Sequence, residues 1–225
     1  NKQQYKIFTM NNNINKNVSM TSPMIINCGW EGMAKINDCA DFSNKTTAYT
    51  DRVKLLAEVT LPDSLIKKHS MFFCIGPYCM FSNLGNGLGR ITYAPVTNQH
   101  IKNEYFISKK MQSWLDHGLT KDETMYFGKK IIEGVSQFIP EMRFARTKSV
   151  FAGVVKSKGD VRINHADSNV HKRNITGVQV ISSGWIENAC IKLCFAQYNA
   201  DNILKIIEKK QHIKTKDRLE SVTYD

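Results

Sequence analysis

No apolar run in this 225-residue sequence approaches the ~20 residues that span a bilayer, which excludes an apolar membrane-spanning helix. No two of the six cysteines form a C-x-x-C pair, so a zinc ribbon or thioredoxin-type site is excluded as well. Cys28, Cys39, Cys74, Cys79, Cys190 and Cys194 read as reduced thiols, which suits a cytoplasmic protein better than a disulfide scaffold. His100, His117, His165 and His171 make no H-x-x-x-H pair, and no metal site is expected. There is no G-x-S-x-G elbow, so His165, Asp167 and Ser168, crowded on one loop, do not make a hydrolase triad. Internal repeats and low-complexity tracts are missing too. The opening "NKQQYKIF" has neither an initiator Met nor an apolar signal region, and a fragment or trimmed chain is expected.

What is present is an ordinary globular composition. Hydrophobic residues are 42 %, enough to fill a core, and charged residues are 23 %, too few for wholesale disorder. The formal net charge is +11, from 31 Lys+Arg against 20 Asp+Glu. Such an excess suits an anionic partner, and an anion- or RNA-binding basic module is one reading of it. The basic residues are scattered, however. The densest cluster, "KIIEKKQHIKTKDR", is interrupted by Glu208 and Asp217, so nucleic acid is not the favoured partner.

Along the chain, "YKIFTM" and "NKNVSM" around an asparagine cluster read as a hairpin. Met24 to Ile26 form a continuous apolar run, the pattern of a strand covered on both faces. The middle is strand-rich: "VKLLAEVTL", "HSMFFCIGPYCMFSN" and the alternating "GRITYAPVT" suggest an antiparallel sheet. Thr120 and Glu123 spell a capping box, followed by Phe127, Ile131, Val135 and Phe138 at helical spacing, with Pro140 as the stop. "KSVFAGVV" and "GVQVI" read as strands. After Ser182-Ser183-Gly184 a helix is expected, striped by Ile186, Cys190, Leu193 and Cys194, and then a short helix from Asp201 to Ile207.

The segment "LGNGLGRITYAPV" carries Gly85, Gly87 and Gly89. The dinucleotide fingerprint G-x-G-x-x-G would need glycine where Arg90 stands, and a helix where β-branched and aromatic residues follow. Asn86-Gly87 is instead the preferred pair for a type I′ hairpin turn. Strand–loop–helix units at "MIINCGW" and "VQVISSGWIENA" are the better sites for an anion at a helix start.

The order of these pieces resembles the C-terminal part of flavin-dependent oxidoreductases of the D-amino acid oxidase type. "IINCGW" looks like the strand end that lies close to the flavin in that family. A β-sheet substrate domain follows, then the helix "IIEGVSQFIPEM", the Ala-Gly strand "VFAGVV", and "GVQVISSGWIENACIKL" as the strand, turn and helix that close over the flavin. The fold implied is α+β to α/β: an incomplete, Rossmann-like FAD-binding domain with an inserted, mainly antiparallel β-sheet substrate domain. The divisions expected are 1–50 and 141–207 for the FAD-binding part, 51–140 for the substrate domain, and a polar tail at 208–225.

The resemblance implies FAD as cofactor, with Asn27, Cys28, Gly29, Trp30, Gly153, Ser183, Gly184 and Trp185 near it. It implies an amine or amino acid substrate whose C–N carbon gives a hydride to flavin N5. Tyr78, Tyr93, Arg90 and Arg173 would hold the substrate carboxylate, an arginine doing so with two parallel hydrogen bonds. Each of these has a plainer reading beside it. Gly29 is then a turn after a buried strand, Gly184 and Trp185 a capped helix with a core indole, and Tyr78 and Tyr93 core aromatics of a sheet. The sequence departs from the family in lacking the G-x-G-x-x-G unit that holds the ADP half of FAD, and in having Val154-Val155 after Ala152-Gly153. A separate chain carrying that unit is one expectation. A non-catalytic α+β relic or binding subunit is the other.

Overall fold

A computed structural model describes residues 4–11, 16–42, 49–74, 76–99, 107–158 and 176–220. In chain order the elements are β1 (Tyr5–Asn11), β2 (Lys16–Ser22), β3 (Ile25–Asn27), α1 (Met33–Asp38), β4 (Tyr49–Thr60) and α2 (Asp63–Ile66). Next come β5 (Met71–Phe73), β6 (Cys79–Gly85), β7 (Leu88–Tyr93), α3 (Ala94–Thr97), α4 (Lys109–His117) and α5 (Lys121–Val135). The last are β8 (Arg146–Lys158), β9 (Val178–Ser182), β10 (Trp185–Asn188) and α6 (Ala196–Glu220). The mixture is α+β, and antiparallel pairing dominates its sheets. Among the described residues no helix is long and apolar enough to cross a membrane. The chain divides into two compact units, one made of residues 48–170 and the other of 1–47 with 171–225.

The 48–170 unit is built on a five-stranded sheet, ordered β5-β6-β7-β4-β8, in which every neighbouring pair is antiparallel. Strand β4 explains its construction. Val53, Leu55, Ala57 and Val59 are fully buried, while Lys54, Leu56 and Glu58 alternate with them at partial exposure. With a side-chain period of two, the first set shares one face of the sheet and the second set the other. The buried face continues through Phe81 on β6, Ile91 on β7 and Val150 on β8, against Trp114 of α4 and Ile131 and Val135 of α5. Residues 141–158 were expected to return to the FAD-binding part. They lie in this unit instead, because β8 pairs with β4 along its whole length.

Helix α5 sits unusually close to the sheet because it turns two glycines toward it. A Cβ on Gly134 would lie 2.1 Å from the Tyr93 ring, and one on Gly128 would lie 2.3 Å from Thr147. The capping box at its start is formed: Thr120 Oγ1 accepts from Glu123 N, and the Glu123 carboxylate accepts from Thr120 N at 3.1 Å. The same carboxylate accepts the Trp114 Nε1–H at 3.0 Å and faces Lys110 at 3.3 Å, which ties α4 to α5. The β6–β7 connection is Asn86-Gly87, with φ of +51° and +72°. Two successive positive φ values are those of a type I′ turn.

The other unit contains the β1–β2 hairpin and a three-stranded sheet ordered β3-β10-β9. Strand β10 runs parallel to β3 and antiparallel to β9. The helix expected after Gly184 is therefore absent: Ser183-Gly184 is a tight reversal, and Trp185 to Asn188 form a strand. The apolar residues at Ile186, Cys190 and Leu193 do have helical spacing. Pairing on both sides overrides it, since β10 satisfies its backbone groups against two strands and buries Trp185, Ile186 and Glu187 together. Helix α6 starts at Ala196, ahead of the expected Asp201, and continues to Glu220, into the expected polar tail.

Two outcomes follow from the helix–sheet contact. Gly134→Ala forces the Tyr93 ring from its place and lowers unfolding free energy by about 2 kcal/mol, read from urea midpoints. Hydrogen bonds from Thr120 and Trp114 and the nearby Lys110 hold the Glu123 carboxyl below its ordinary value. Its folded pKa being depressed, its contribution is present above the unfolded value and drains away as pH falls through the folded one. Wild type and Glu123→Gln should therefore differ in urea midpoint at neutral pH and converge as pH falls through the depressed folded value.

Candidate functional site

The second face of the five-stranded sheet carries, among the described residues, the charged and polar side chains of its strands. Cross-strand pairing sets what it displays. Glu58 on β4 stands opposite Arg90 on β7, Met80 on β6 opposite Thr92, Leu56 opposite Phe151 on β8, and Lys54 opposite Gly153. All of these but Glu58 line a hollow of about 420 Å³, open to one side, with Leu56, Met80 and Phe151 as its apolar floor. That is within the range of small-molecule sites, which combine apolar walls with a few placed polar groups. Gly153 lies in the floor, and a Cβ there would meet nothing within 4 Å, so the backbone is open to an incoming group.

The charge of the face is organised around one carboxylate. Glu58 Oε2 accepts from Arg90 Nη2 at 3.5 Å, and Glu58 Oε1 faces Lys148 Nζ at 3.2 Å. Glu58 is largely covered, with its side chain 13 % exposed, whereas that of Arg90 is 47 % exposed. A guanidinium has five N–H donors in a rigid fork. Among the described residues it is Glu58 that takes one of them. Two cations share one anion, and the fork still faces the hollow. A guanidinium in this setting has the chemistry to accept a carboxylate or similar anion above an apolar floor.

Of the expected substrate residues, Arg90 lines this hollow. Tyr93 does not. Its position on β7 is of opposite parity, and its ring packs between α5 at Gly134 and Phe138, whose ring centroid is 6.5 Å away. The expectation that it meets substrate is corrected to a core aromatic. Tyr78 stands just ahead of β6 with φ of +31°, and its carbonyl accepts the Ala94 N–H at 2.9 Å, anchoring the end of β7. Arg173 lies outside the described residues. Glu58, Lys148, Leu56, Met80, Thr92 and Phe151 were not singled out from the sequence. The signal that would have found three of these was the alternation in "VKLLAEVTL" and "RITY", read for the face that is not apolar.

The residues expected near FAD belong to the other unit, apart from Gly153. There they are occupied with one another. Asn27 Nδ2 donates to Asn37 Oδ1 at 2.8 Å and to the Met33 carbonyl at 3.2 Å, while Asn27 Oδ1 accepts the Gly29 N–H at 3.0 Å. Trp185 is buried, and its Nε1–H donates to Asn37 Oδ1 at 3.1 Å. Asn37 Nδ2 donates in turn to the buried Glu187 carboxylate. Gly29 is small because α1 passes over it: a Cβ would lie 2.5 Å from the Ile36 side chain. A Cβ on Gly184 would lie 2.6 Å from the Pro23 carbonyl oxygen. The Ser183 carbonyl accepts from Lys210, Cys28 is exposed, and Trp30 adopts φ of +43° in a short 3₁₀ turn.

These positions are thus used within the unit itself. The glycines make room for the chain itself, the Asn27 amide is used internally, and no helix begins at Ser183-Gly184 to receive a phosphate. Gel filtration of the chain after incubation with FAD should leave a colourless protein. A stoichiometric complex absorbing near ~450 nm would contradict this. No protein-family model and no curated protein matches the chain, so its functional reading rests on the geometry of the sheet face.

Proposed function

We propose that this chain is the substrate-holding part of an oxidoreductase that acts on an amine or amino acid. The observation that carries the reading is the hollow on the open sheet face, where Arg90 offers a half-exposed guanidinium above Leu56, Met80 and Phe151. An amino acid presents the complementary pair, a carboxylate and a side chain of variable apolar character. Arg90 would hold the carboxylate, the apolar floor would take the side chain, and Gly153 would leave room for close approach. Flavin, as the resemblance implies, would be held by a unit outside this sequence. What this chain supplies is binding and orientation.

The internal use of Asn27 and Trp185 in the other unit also favours a second reading, a binding subunit without redox chemistry. Purification from cells separates the two. Association with a flavin-carrying chain supports the first, and amino acid binding without such a partner supports the second.

The test common to both is ligand binding followed by amide chemical shifts. Amino acids should perturb Thr92, Gly153 and Met80, and the corresponding amines, which lack the carboxylate, should not. Arg90→Ala should weaken binding by about 10- to 100-fold, the worth of a charge-assisted hydrogen bond. Equal binding by Arg90→Ala, or equal perturbation by the decarboxylated amine, would overturn the assignment of Arg90 to a substrate carboxylate.

A further inference from the structure

The hollow on the open sheet face has a cation at each of its two ends. On β4 the residues of that face are Lys54, Leu56 and Glu58, since Val53, Leu55, Ala57 and Val59 are turned to the core. Successive residues of one face lie about 7 Å apart along a strand, two steps of about 3.4 Å. Three rows therefore cross the sheet. The row at Glu58 carries Arg90 on β7. The row at Leu56 carries Phe151 on β8, with Met80 and Thr92 paired beside it. The row at Lys54 carries Gly153. Arg90 and Lys54 both line the hollow, and its apolar floor lies between them.

We propose that the hollow takes an elongated ligand with an anionic group at each end, an α,ω-dicarboxylate whose apolar chain lies along the middle row. This rests on reading the hollow as a carboxylate site and adds a second anion subsite at Lys54. Two rows separate the cationic positions, so their Cα atoms are about 14 Å apart along the strand direction. A ligand that meets both needs several carbons between its carboxylates.

Charge points the same way. Arg90 and Lys148 share Glu58, and Lys54 adds a further cation, so these four groups hold an excess of two positive charges, which a dianion matches. A ligand with a purely apolar tail would lay that tail against Lys54 and strip water from an ammonium without giving it a partner, which costs free energy. A carboxylate there replaces the lost hydration. An ammonium has three N–H donors, so a ligand oxygen can be added beside whatever else Lys54 touches. The place of Lys54 is fixed by its backbone. It bridges to Asn98, and next to it the Gln99 N–H donates to the Val53 carbonyl at 2.9 Å. Gly153 opposite leaves open space, since even a Cβ there would meet nothing within 4 Å.

The experiment is calorimetric titration of the whole chain with 2-aminopimelate and 2-aminoheptanoate, the same carbon chain with and without the second carboxylate. The dicarboxylate should bind at least ~10-fold tighter, the worth of one added charge-assisted hydrogen bond. It should also shift the Lys54 amide resonance, which the monocarboxylate leaves in place. Lys54→Met should bring the two ligands to equal affinity, Lys54→Arg should restore the preference, and Arg90→Ala should weaken both. Binding of 2-aminoheptanoate that depends on Arg90, with no gain from the second carboxylate, would overturn this proposal and leave the reading of the hollow standing. Binding of neither ligand would overturn both. A preference that survives Lys54→Met would overturn the assignment of the second carboxylate to Lys54. Comparing the two ligands on the unsubstituted chain decides the matter even if a variant fails to fold.

Discussion

Helix α5 approaches the sheet at two glycines, and most of what the 48–170 unit can do depends on that contact. Gly128 admits Thr147 and Gly134 admits the Tyr93 ring at distances no Cβ would tolerate. The helix can then bury Ile131 and Val135 against Leu55, Ile91 and Val150, and one face of the sheet closes. Burial of an aliphatic side chain is worth roughly 1.5–3 kcal/mol, so a face covered this closely holds most of the unit's stability. The opposite face is thereby free to carry charge. Lys54, Glu58, Arg90 and Lys148 would be costly on the helix side, where no water reaches them.

The other unit solves a different problem. Its short sheet is tied to α1 by polar groups. Asn37 accepts from Asn27 and from the Trp185 indole and donates to Glu187, so one amide serves three buried partners. A buried carboxylate is tolerated where hydrogen bonds compensate its lost hydration. The indole also stacks in a cluster with Tyr5 and Phe42, at centroid distances of 5.4 and 5.0 Å, which brings the β1–β2 hairpin into the same core. Glycines here answer to this packing. A ligand is not needed to explain them.

How much of this was legible in the sequence depended on the range of the interaction. Local chemistry was readable. The Thr120–Glu123 box and the Asn86-Gly87 turn are set by residues within three positions of each other, and both are formed as expected. The strand-rich middle, its strands joined by short turns, was readable as an antiparallel sheet. Pairing partners were not readable. Whether Trp185 begins a helix or a strand depends on Ile25, far away in sequence, supplying the other half of a parallel ladder. The same holds for Tyr93, because the parity of β7 follows from the sequence but the side on which α5 lies does not. For the hollow, Arg90 was found from its charge. Its setting, above all the Glu58 opposite it, needed the register.

That register also explains why the face carries a glutamate at all. Arg90 and Lys148 both reach toward the position of Glu58, and without it their like charges would be left facing one another. Glu58 relieves that repulsion, but it is 3.5 Å from Arg90, long for a charge-assisted bond, which ordinarily measures about 2.7–2.9 Å. The guanidinium is thus positioned without being saturated. Lys148, the closer of the two cations, can keep Glu58 neutralised while Arg90 turns its fork to another carboxylate. A lysine in place of Arg90 would offer a point charge to one partner at a time, whereas a planar fork can bond Glu58 on one edge and a ligand on the other. With Arg90 and Lys148 set against the single carboxylate of Glu58, the face keeps a net positive charge, and that charge above an apolar floor is what the proposed reading draws on.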